Sequence, residues 1–295
     1  MNQSDTASGK MGNSDSAEAV DLSSRVAACV SAWDLELGPE EFTLSINYAR
    51  PALRSGHELV VLKLSPPDSV EYHRELTMLD AYGGHGSVRV LERDSALGAV
   101  LLERLLPGSP LTEFFPHNDD RANGIAAQVL EQLWQCPPPP GLPDPLNWAE
   151  ALLRPERLPL DVIAKDPLDR ARQCYTELAT SGDEKVLLHG DLHHGNILSS
   201  QRGWIAIDPK GLIGERAFDL GALLRNPAPA LIRTPGARAL LSRRIDQLSE
   251  QLGLDRSRVR SWAYSQAVLS ACWAVEDDDP GWVAYALACA ELLAP

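Results

Sequence analysis

The chain has 295 residues, 44% of them hydrophobic, and a formal net charge of −14. That length leaves room for one large domain or two lobes with ample core. The charge argues against nucleic acid, which demands clustered Lys and Arg against its phosphates, and favours a cationic or neutral partner. Five cysteines (Cys29, Cys136, Cys174, Cys272 and Cys289) stand far apart with no C-x-x-C pair. They read as buried thiols in a reducing compartment, not as a disulfide framework or a zinc site. No apolar run approaches the roughly 18 residues that span a bilayer, and the polar N-terminus has no signal-peptide core. The expectation is a cytoplasmic protein with no membrane partner, and nothing in the sequence signals an oligomeric state.

Residues 1–20 are rich in Ser, Asn, Asp, Ala and Gly and read as a disordered tail, because they have almost nothing to bury against their ordering entropy. From 42 to about 106, short apolar runs separated by turn residues read as strands, at 42–44, 58–64, 87–91 and 99–103. One helix interrupts them, from Asp68 to about Tyr82, opened by Pro66-Pro67-Asp68. After Pro107-Gly108 the period becomes helical. Asn118-Asp119-Asp120 can cap a helix that places Ile125, Val129, Leu130 and Leu133 on one face and stops at 137–140. Further helices are expected over 239–252, 257–275 and 282–293. Between these regions lies a short apolar insert at 186–188, 197–198 and 204–207. The expected class is α+β: a small β-rich lobe with one helix over 21–103, and a larger, mainly helical lobe with a small embedded sheet over 104–295, around a cleft.

The densest chemistry is His189-Gly190-Asp191-Leu192-His193-His194-Gly195-Asn196, with Asp208 twelve residues further on at the end of an apolar strand. Such a set suits phosphoryl transfer, which needs positioning, Mg²⁺ and a base beside the attacking hydroxyl. Asp191 would accept the hydroxyl proton. Asn196 and Asp208 would offer the hard oxygens that Mg²⁺ prefers. Two alternatives compete. His189, Asp191, His193 and His194 also crowd together like metallohydrolase ligands, yet of seven histidines none follows His194 to complete such a set. A polar turn without chemistry leaves the spacing of Asp191, Asn196 and Asp208 unexplained.

A kinase site also needs a lysine for the nucleotide phosphates and an anchor for it. The strand period puts Lys63 on one face with Leu59 and Val61, and an ammonium there is costly unless paired. The next helix offers Glu75, on the stripe of Tyr72, Met78 and Leu79, with Glu71 one turn earlier as second candidate. In the competing arrangement Lys63 snorkels from an edge strand and Glu75 is solvated.

The order strand-Lys63, helix-Glu75, His189-Gly190-Asp191 to Asn196, then strand-Asp208 resembles the aminoglycoside phosphotransferase superfamily, which has a protein-kinase-like fold. Its streptomycin 6-phosphotransferase and hydroxyurea phosphotransferase branch is locally most similar, through 59–64, His73-Arg74-Glu75, 101–108, 188–198, 207–211 and 218–221. The resemblance implies ATP and Mg²⁺ as cofactors, Asp191 as catalytic base, Asn196 and Asp208 as metal ligands, and Lys63 on the α- and β-phosphates held by Glu75. It further implies that Val61 packs on the adenine and that backbone groups of Glu103 and Leu105 bind its edge. His189 is expected to orient the loop and Asp219 to anchor it from the next helix, while His193 and His194 have no assigned task and read as solvated loop histidines. Two departures stand out. No G-x-G-x-x-G precedes Lys63, so phosphate contacts fall to backbone amides or to Ser45 and Asn47; and Asp208-Pro209-Lys210-Gly211 replaces D-F-G. Gly83-Gly84-His85-Gly86 reads as a turn.

For the acceptor, Trp273 and the acidic run Glu276-Asp277-Asp278-Asp279 suggest a pocket for a small, cationic, hydroxylated substrate, with Glu276 and Asp277 as contacts. A solvated acidic turn between two helices is the alternative. The activity so implied is transfer of the ATP γ-phosphate to an aminoglycoside, streptomycin at the 6-hydroxyl. A hydroxyurea or metabolite-alcohol kinase, or a silent nucleotide-binding pseudokinase, are the alternatives.

Overall fold

The computed structural model describes residues 14–39, 48–154, 162–182 and 185–294, the first seven by their backbone alone. In chain order the elements are α1 (Ser14–Trp33), β1 (Leu35–Leu37), β2 (Tyr48–Arg54), β3 (Glu58–Leu64), α2 (Val70–Tyr82), β4 (Val90–Asp94), β5 (Ala99–Glu103) and β6 (Pro107–Pro110). Then follow α3 (Asp119–Trp134), α4 (Pro145–Trp148), α5 (Glu150–Leu153), α6 (Lys165–Ser181), β7 (Val186–Leu188), β8 (Ile197–Ser200), β9 (Gly203–Ala206) and β10 (Leu212–Gly214). The chain ends in α7 (Leu220–Leu224), α8 (Ala230–Arg233), α9 (Ala237–Leu252), α10 (Arg256–Glu276) and α11 (Pro280–Leu293). They form two compact units: residues up to Tyr72 with Val90–Arg104, and His73–Arg89 with Leu105–Pro295.

The first unit is an antiparallel five-stranded sheet in the order β1-β2-β3-β5-β4. The alternation of β3 sends Val60, Leu62 and Leu64 into a core with Ala99, Leu101 and Cys29, against which Leu22, Val26 and Trp33 of α1 pack. Lys63 and Val61 therefore occupy the opposite face, the one on which Leu59 is half exposed. Arg25 of α1 fastens the helix to the sheet, its Nε donating to the Leu97 carbonyl at 2.8 Å and its Nη2 to the carbonyls of Leu97 and Ser65. The expected tail reached residue 20, whereas α1 begins at Ser14; Ser and Asp open it and Ala and Glu sustain it. Residues 1–13 of that tail, the strand expected at 42–44, and Ser45 and Asn47 lie outside the described residues.

The second unit is built on α10, buried on all sides over most of its length and packed by α11, α6 and α7. Trp262 meets Tyr175 at 5.0 Å and Phe218 at 5.1 Å between ring centroids, both edge to face. Met78 and Tyr82, on the C-terminal half of α2, join this core, so that half of the helix groups with the second unit. The embedded apolar insert forms two small antiparallel sheets, β10-β7 and β6-β8-β9. Among the described residues no helix is long and apolar enough to cross a membrane.

Asn118 precedes α3 but its side chain makes no capping bond. Asp119 instead turns inward to Arg244 of α9, which has no solvent exposure. The guanidinium meets the carboxylate in a two-pronged contact, Nε to Oδ2 at 3.0 Å and Nη2 to Oδ1 at 2.5 Å, while Nη1 donates to the Asn226 carbonyl at 2.6 Å. Breaking such a pair from one side strands a buried charge. Arg244→Met is expected to lower unfolding stability by about 3–5 kcal/mol, and Asp119→Leu combined with it to return most of that loss. Urea midpoints of the three proteins check this; a single variant as stable as the wild type would contradict it.

Candidate active site

Strand β7 delivers the chain into His189-Gly190-Asp191, and β10 returns beside it, with Leu212 opposite Leu188. The two strand ends are tied directly: the Lys210 N–H donates to the His189 carbonyl at 2.8 Å and the Gly211 N–H at 3.3 Å. Gly190 and Gly211 sit at φ +84 and +77. A Cβ on Gly190 would come within 2.8 Å of the Leu212 side chain, and one on Gly211 within 2.7 Å of Met78. Only glycine satisfies both the dihedral and the space.

Asp219, fully buried at the end of the 3₁₀ turn before α7, accepts three bonds: from the His189 N–H (3.0 Å), the Gly190 N–H (2.8 Å) and the Trp134 indole N–H (3.0 Å). Burial pushes its carboxyl up to about 6 even so, the three donors pulling the other way. The His189 imidazole is equally buried and burial holds it down to about 4, so it is neutral at physiological pH. Its hydrogen-bond network implies one tautomer, with Nε2–H donating to the Ile207 carbonyl at 3.0 Å and Nδ1 accepting the Asp191 N–H at 3.3 Å.

Asn196 donates its Nδ2 to the Asp191 carbonyl at 3.0 Å, and its own carbonyl accepts the Ile207 N–H at 3.0 Å. The amide orientation leaves Oδ1 as the group that can meet a cation. Asp208 stands at φ +60, unusual for a residue with a Cβ, and its Oδ2 takes the Lys210 ammonium at 3.0 Å. One carboxylate and one amide oxygen, both hard donors on strand ends tied through the Ile207 N–H, fit a Mg²⁺ ion that completes its shell with water and phosphate. The histidines do not assemble into a competing metal site: among the described residues no three His, Cys, Asp or Glu groups cluster to hold a metal, and both nitrogens of His189 are already bonded.

Asp191 is half buried. Its Oδ1 lies 3.6 Å from Nη2 of Arg225, and its Oδ2 3.9 Å from Nε2 of His193. Sequence reasoning missed Arg225; the available signal was a charge directly after the apolar run 220–224. The solvated state expected for the two loop histidines is corrected. His193 is half buried, its Nδ1 accepting the Gly195 N–H at 3.0 Å to close the turn. His194 has no exposure, and neither ring nitrogen has a protein partner. Burial, with the Arg244 guanidinium adding to it, holds its imidazole well below the usual range. The loop folds inward because Leu192 and Ile197, on either side of the pair, enter the core of the second unit.

Of the other expected residues, Lys63, Val61 and Glu103 belong to the first unit, paired across β3 and β5 as Val61 with Leu102 and Lys63 with Val100. Glu75 and Leu105 belong to the second. Lys63 and Glu75 are both buried and neither is without a partner. Trp273 is half buried and meets Trp148 edge to face at 5.8 Å, and the Arg74 guanidinium lies 5.3 Å over the Trp148 ring. Glu276 and Asp277 are exposed; Asp277 ends α10, and Asp279 caps α11 by accepting the Trp282 N–H at 2.9 Å.

The two buried titrating groups bias stability in opposite directions. His189 is lowered from 6.5 to about 4, so on acidification through that window the unfolded chain takes up the proton first and stability falls. Asp219 is raised from 3.8 to about 6, so between those values the folded state holds the extra proton and stability rises as pH falls. Asp219→Asn removes only the second. Its thermal midpoint is expected to fall more steeply than that of the wild type between pH 6 and 4, by up to about 1.4 kcal/mol of stability per pH unit; parallel curves would contradict the assignment.

The chain matches the family model for aminoglycoside/hydroxyurea antibiotic resistance kinases over residues 51–278. It is 34% identical over 279 residues to the streptomycin 6-kinase of Streptomyces griseus, covering 92% of this chain and 89% of that one. It is also 34% identical over 279 residues to the hydroxyurea phosphotransferase of Kitasatospora aureofaciens, covering 92% and 78%. Among solved structures it is similar to a thermostable mutant of the aminoglycoside phosphotransferase APH(4)-Ia in ternary complex with ADP and hygromycin B, with a TM-score of 0.64 at 13% identity over 90% of this chain and 97% of that one. That likeness shows the two-lobed, protein-kinase-like α+β fold. A match through most of the chain, with the His189 to Asp208 segment inside it, settles its kinship: the chain belongs to the aminoglycoside/hydroxyurea antibiotic resistance kinase family.

Proposed function

We propose that this chain is an ATP- and Mg²⁺-dependent O-phosphotransferase whose acceptor is an aminoglycoside, streptomycin at its 6-hydroxyl. The observation that carries the reading is the tied pair of strand ends. Hydrogen bonds tie Asn196 to the Asp191 carbonyl, and the Asn196 carbonyl and His189 to Ile207, the residue before Asp208, which supports Asp191, Asn196 and Asp208 acting together. Likeness to a streptomycin 6-kinase through 92% of the chain supports the acceptor.

In this reaction Asp191 accepts the proton of the acceptor hydroxyl as its oxygen bonds to the γ-phosphorus and ADP departs. Mg²⁺, held by Asn196 Oδ1 and Asp208, would neutralise phosphate charge at that point. Lys63 is assigned to the α- and β-phosphates, Val61 to the adenine face and Glu103 to its edge; Glu75 and Leu105 keep the roles that the family resemblance implies. Lys210, now on Asp208, is a second cation available to the phosphates. Trp273, Glu276 and Asp277 are assigned to the cationic acceptor, whose charge the acidic turn would attract. A second reading, a hydroxyurea kinase, draws on the 34% identity to the hydroxyurea phosphotransferase; so small an acceptor would have no use for the acidic turn.

ADP release by the purified chain with ATP and Mg²⁺, across aminoglycosides, hydroxyurea and simple alcohols, distinguishes the readings. Streptomycin is expected to be turned over and its phosphate to map to the 6-oxygen by NMR; turnover of hydroxyurea alone would overturn the aminoglycoside reading. Asp191→Ala is expected to cost on the order of 10²–10⁴-fold in kcat, and turnover that survives it would remove Asp191 from the role of base. Asp208→Asn is expected to raise the Mg²⁺ concentration needed for half-maximal rate, since an amide binds a hard cation more weakly than a carboxylate does. An unchanged Mg²⁺ dependence would reassign the ligand.

A further inference from the structure

Arg225 follows α7 with its side chain only 8% exposed. A buried guanidinium demands a counter-charge, and among the described residues the carboxylate within ion-pair distance of it is Asp191. The pair is held apart in a particular way. At 3.6 Å it is an ion pair but longer than the 2.7–2.9 Å of a charge-assisted hydrogen bond. Arg225 directs Nη1 instead to Oε1 of Gln266 on α10, at 3.2 Å. Gln266 has no freedom to turn, because its Nε2 donates to the Phe218 carbonyl at 2.7 Å. It fits only because residue 221 is glycine: a Cβ there would lie 2.3 Å from Oε1. Behind it, the Arg225 carbonyl accepts the Tyr285 hydroxyl. The guanidinium is thus held by Gln266 of α10 and the backbone of the same residue by Tyr285 of α11, with Nη2 facing Asp191 at ion-pair distance.

We propose that Arg225, drawn back by Gln266, is the positioning residue for Asp191 in phosphoryl transfer. This rests on the reading of Asp191 as the base. A carboxylate beside the phosphates of ATP is repelled by them, and a guanidinium 3.6 Å away offsets that repulsion. A two-pronged hydrogen-bonded pair would do so as well, but it would occupy the carboxylate oxygens that must receive the hydroxyl proton. Gln266 resolves the conflict by anchoring Nη1, so that Nη2 faces the carboxylate at ion-pair distance instead of closing onto it. His193, 3.9 Å from the other oxygen, completes the surroundings of the carboxylate.

The test is steady-state kinetics of the full chain with ATP, Mg²⁺ and streptomycin, for Arg225→Met, Arg225→Lys and Gln266→Met, alongside thermal midpoints. Arg225→Met is expected to lower kcat about 10–100-fold, the scale of a misplaced catalytic group, with KM for ATP within about twofold. Arg225→Lys, which keeps the charge, is expected to recover most of that loss. Gln266→Met is expected to lower kcat although Arg225 is present, because the freed guanidinium closes onto Asp191. Unchanged kcat in Arg225→Met, or equal loss in the Lys and Met variants, would overturn the proposal. If Arg225→Met fails to fold, Gln266→Met decides: loss of kcat at an unchanged thermal midpoint supports the proposal, and unchanged kcat overturns it. A wild-type chain that turns over no acceptor would overturn the phosphotransferase reading itself, a result separate from any variant.

Discussion

One buried carboxylate organises the loop that follows β7. A loop of eight residues between the short strands β7 and β8 has N–H groups that would be costly to bury unpaired. Asp219 takes two of them, those of His189 and Gly190, and reaches the Trp134 indole with the same oxygen that serves His189. The turn is thereby tied to both α3 and the start of α7. Removing water from Asp219 carries a penalty, visible in a carboxyl pushed up to about 6, and the loop geometry is what that penalty sustains. A neutral His189 then extends the same constraint to Ile207, the residue before Asp208.

A second buried network joins α3, α9 and the segment after α7. Arg244 neutralises Asp119 and holds the carbonyl of Asn226, and the residue before Asn226 is Arg225, the cation that faces Asp191. Two buried guanidinium groups thus meet at one short segment after α7. Arg244 is committed to Asp119 and the Asn226 carbonyl, and Arg225 gives its hydrogen bond to Gln266. Burial here supplies geometric definition more than net stability, since a buried ion pair seldom repays its desolvation.

Function follows from how the fold orients its polar groups. The Asn196 amide spends its N–H on the backbone of Asp191 and keeps its oxygen for a cation. Asp208 carries Lys210 on one oxygen at a left-handed backbone position. In the first unit, the pleat of β3 sends Val60, Leu62 and Leu64 to the core under α1 and leaves Val61 and Lys63 on the other face. A family defined by phosphate transfer is consistent with such a division, because positioning and charge do most of the work in that chemistry.

The sequence by itself determined the elements whose signal is local. The apolar run at 58–64, the helical periods of 119–134 and 256–276, and the spacing of Asp191, Asn196 and Asp208 are all written in adjacent residues. Helix α1 was lost in a polar, small-residue segment whose stabilising contacts, such as Arg25 with the Leu97 carbonyl, come from far along the chain. The same reason explains the loop histidines. His193-His194 looks solvated as text, yet the burial of Leu192 and Ile197 carries His194 inside with no protein partner for its ring. Asn118 has the residue type of a cap, but Asp119 is drawn to an arginine 125 positions away. Arg225 is the clearest case: a charge directly after the apolar run 220–224 is its one local mark, and its place next to Asp191 follows from α7 packing on α10, where Gln266 holds it. Charge partners across long separations were set by tertiary structure alone, because desolvation, which fixes where a buried charge can rest, depends on every element that covers it.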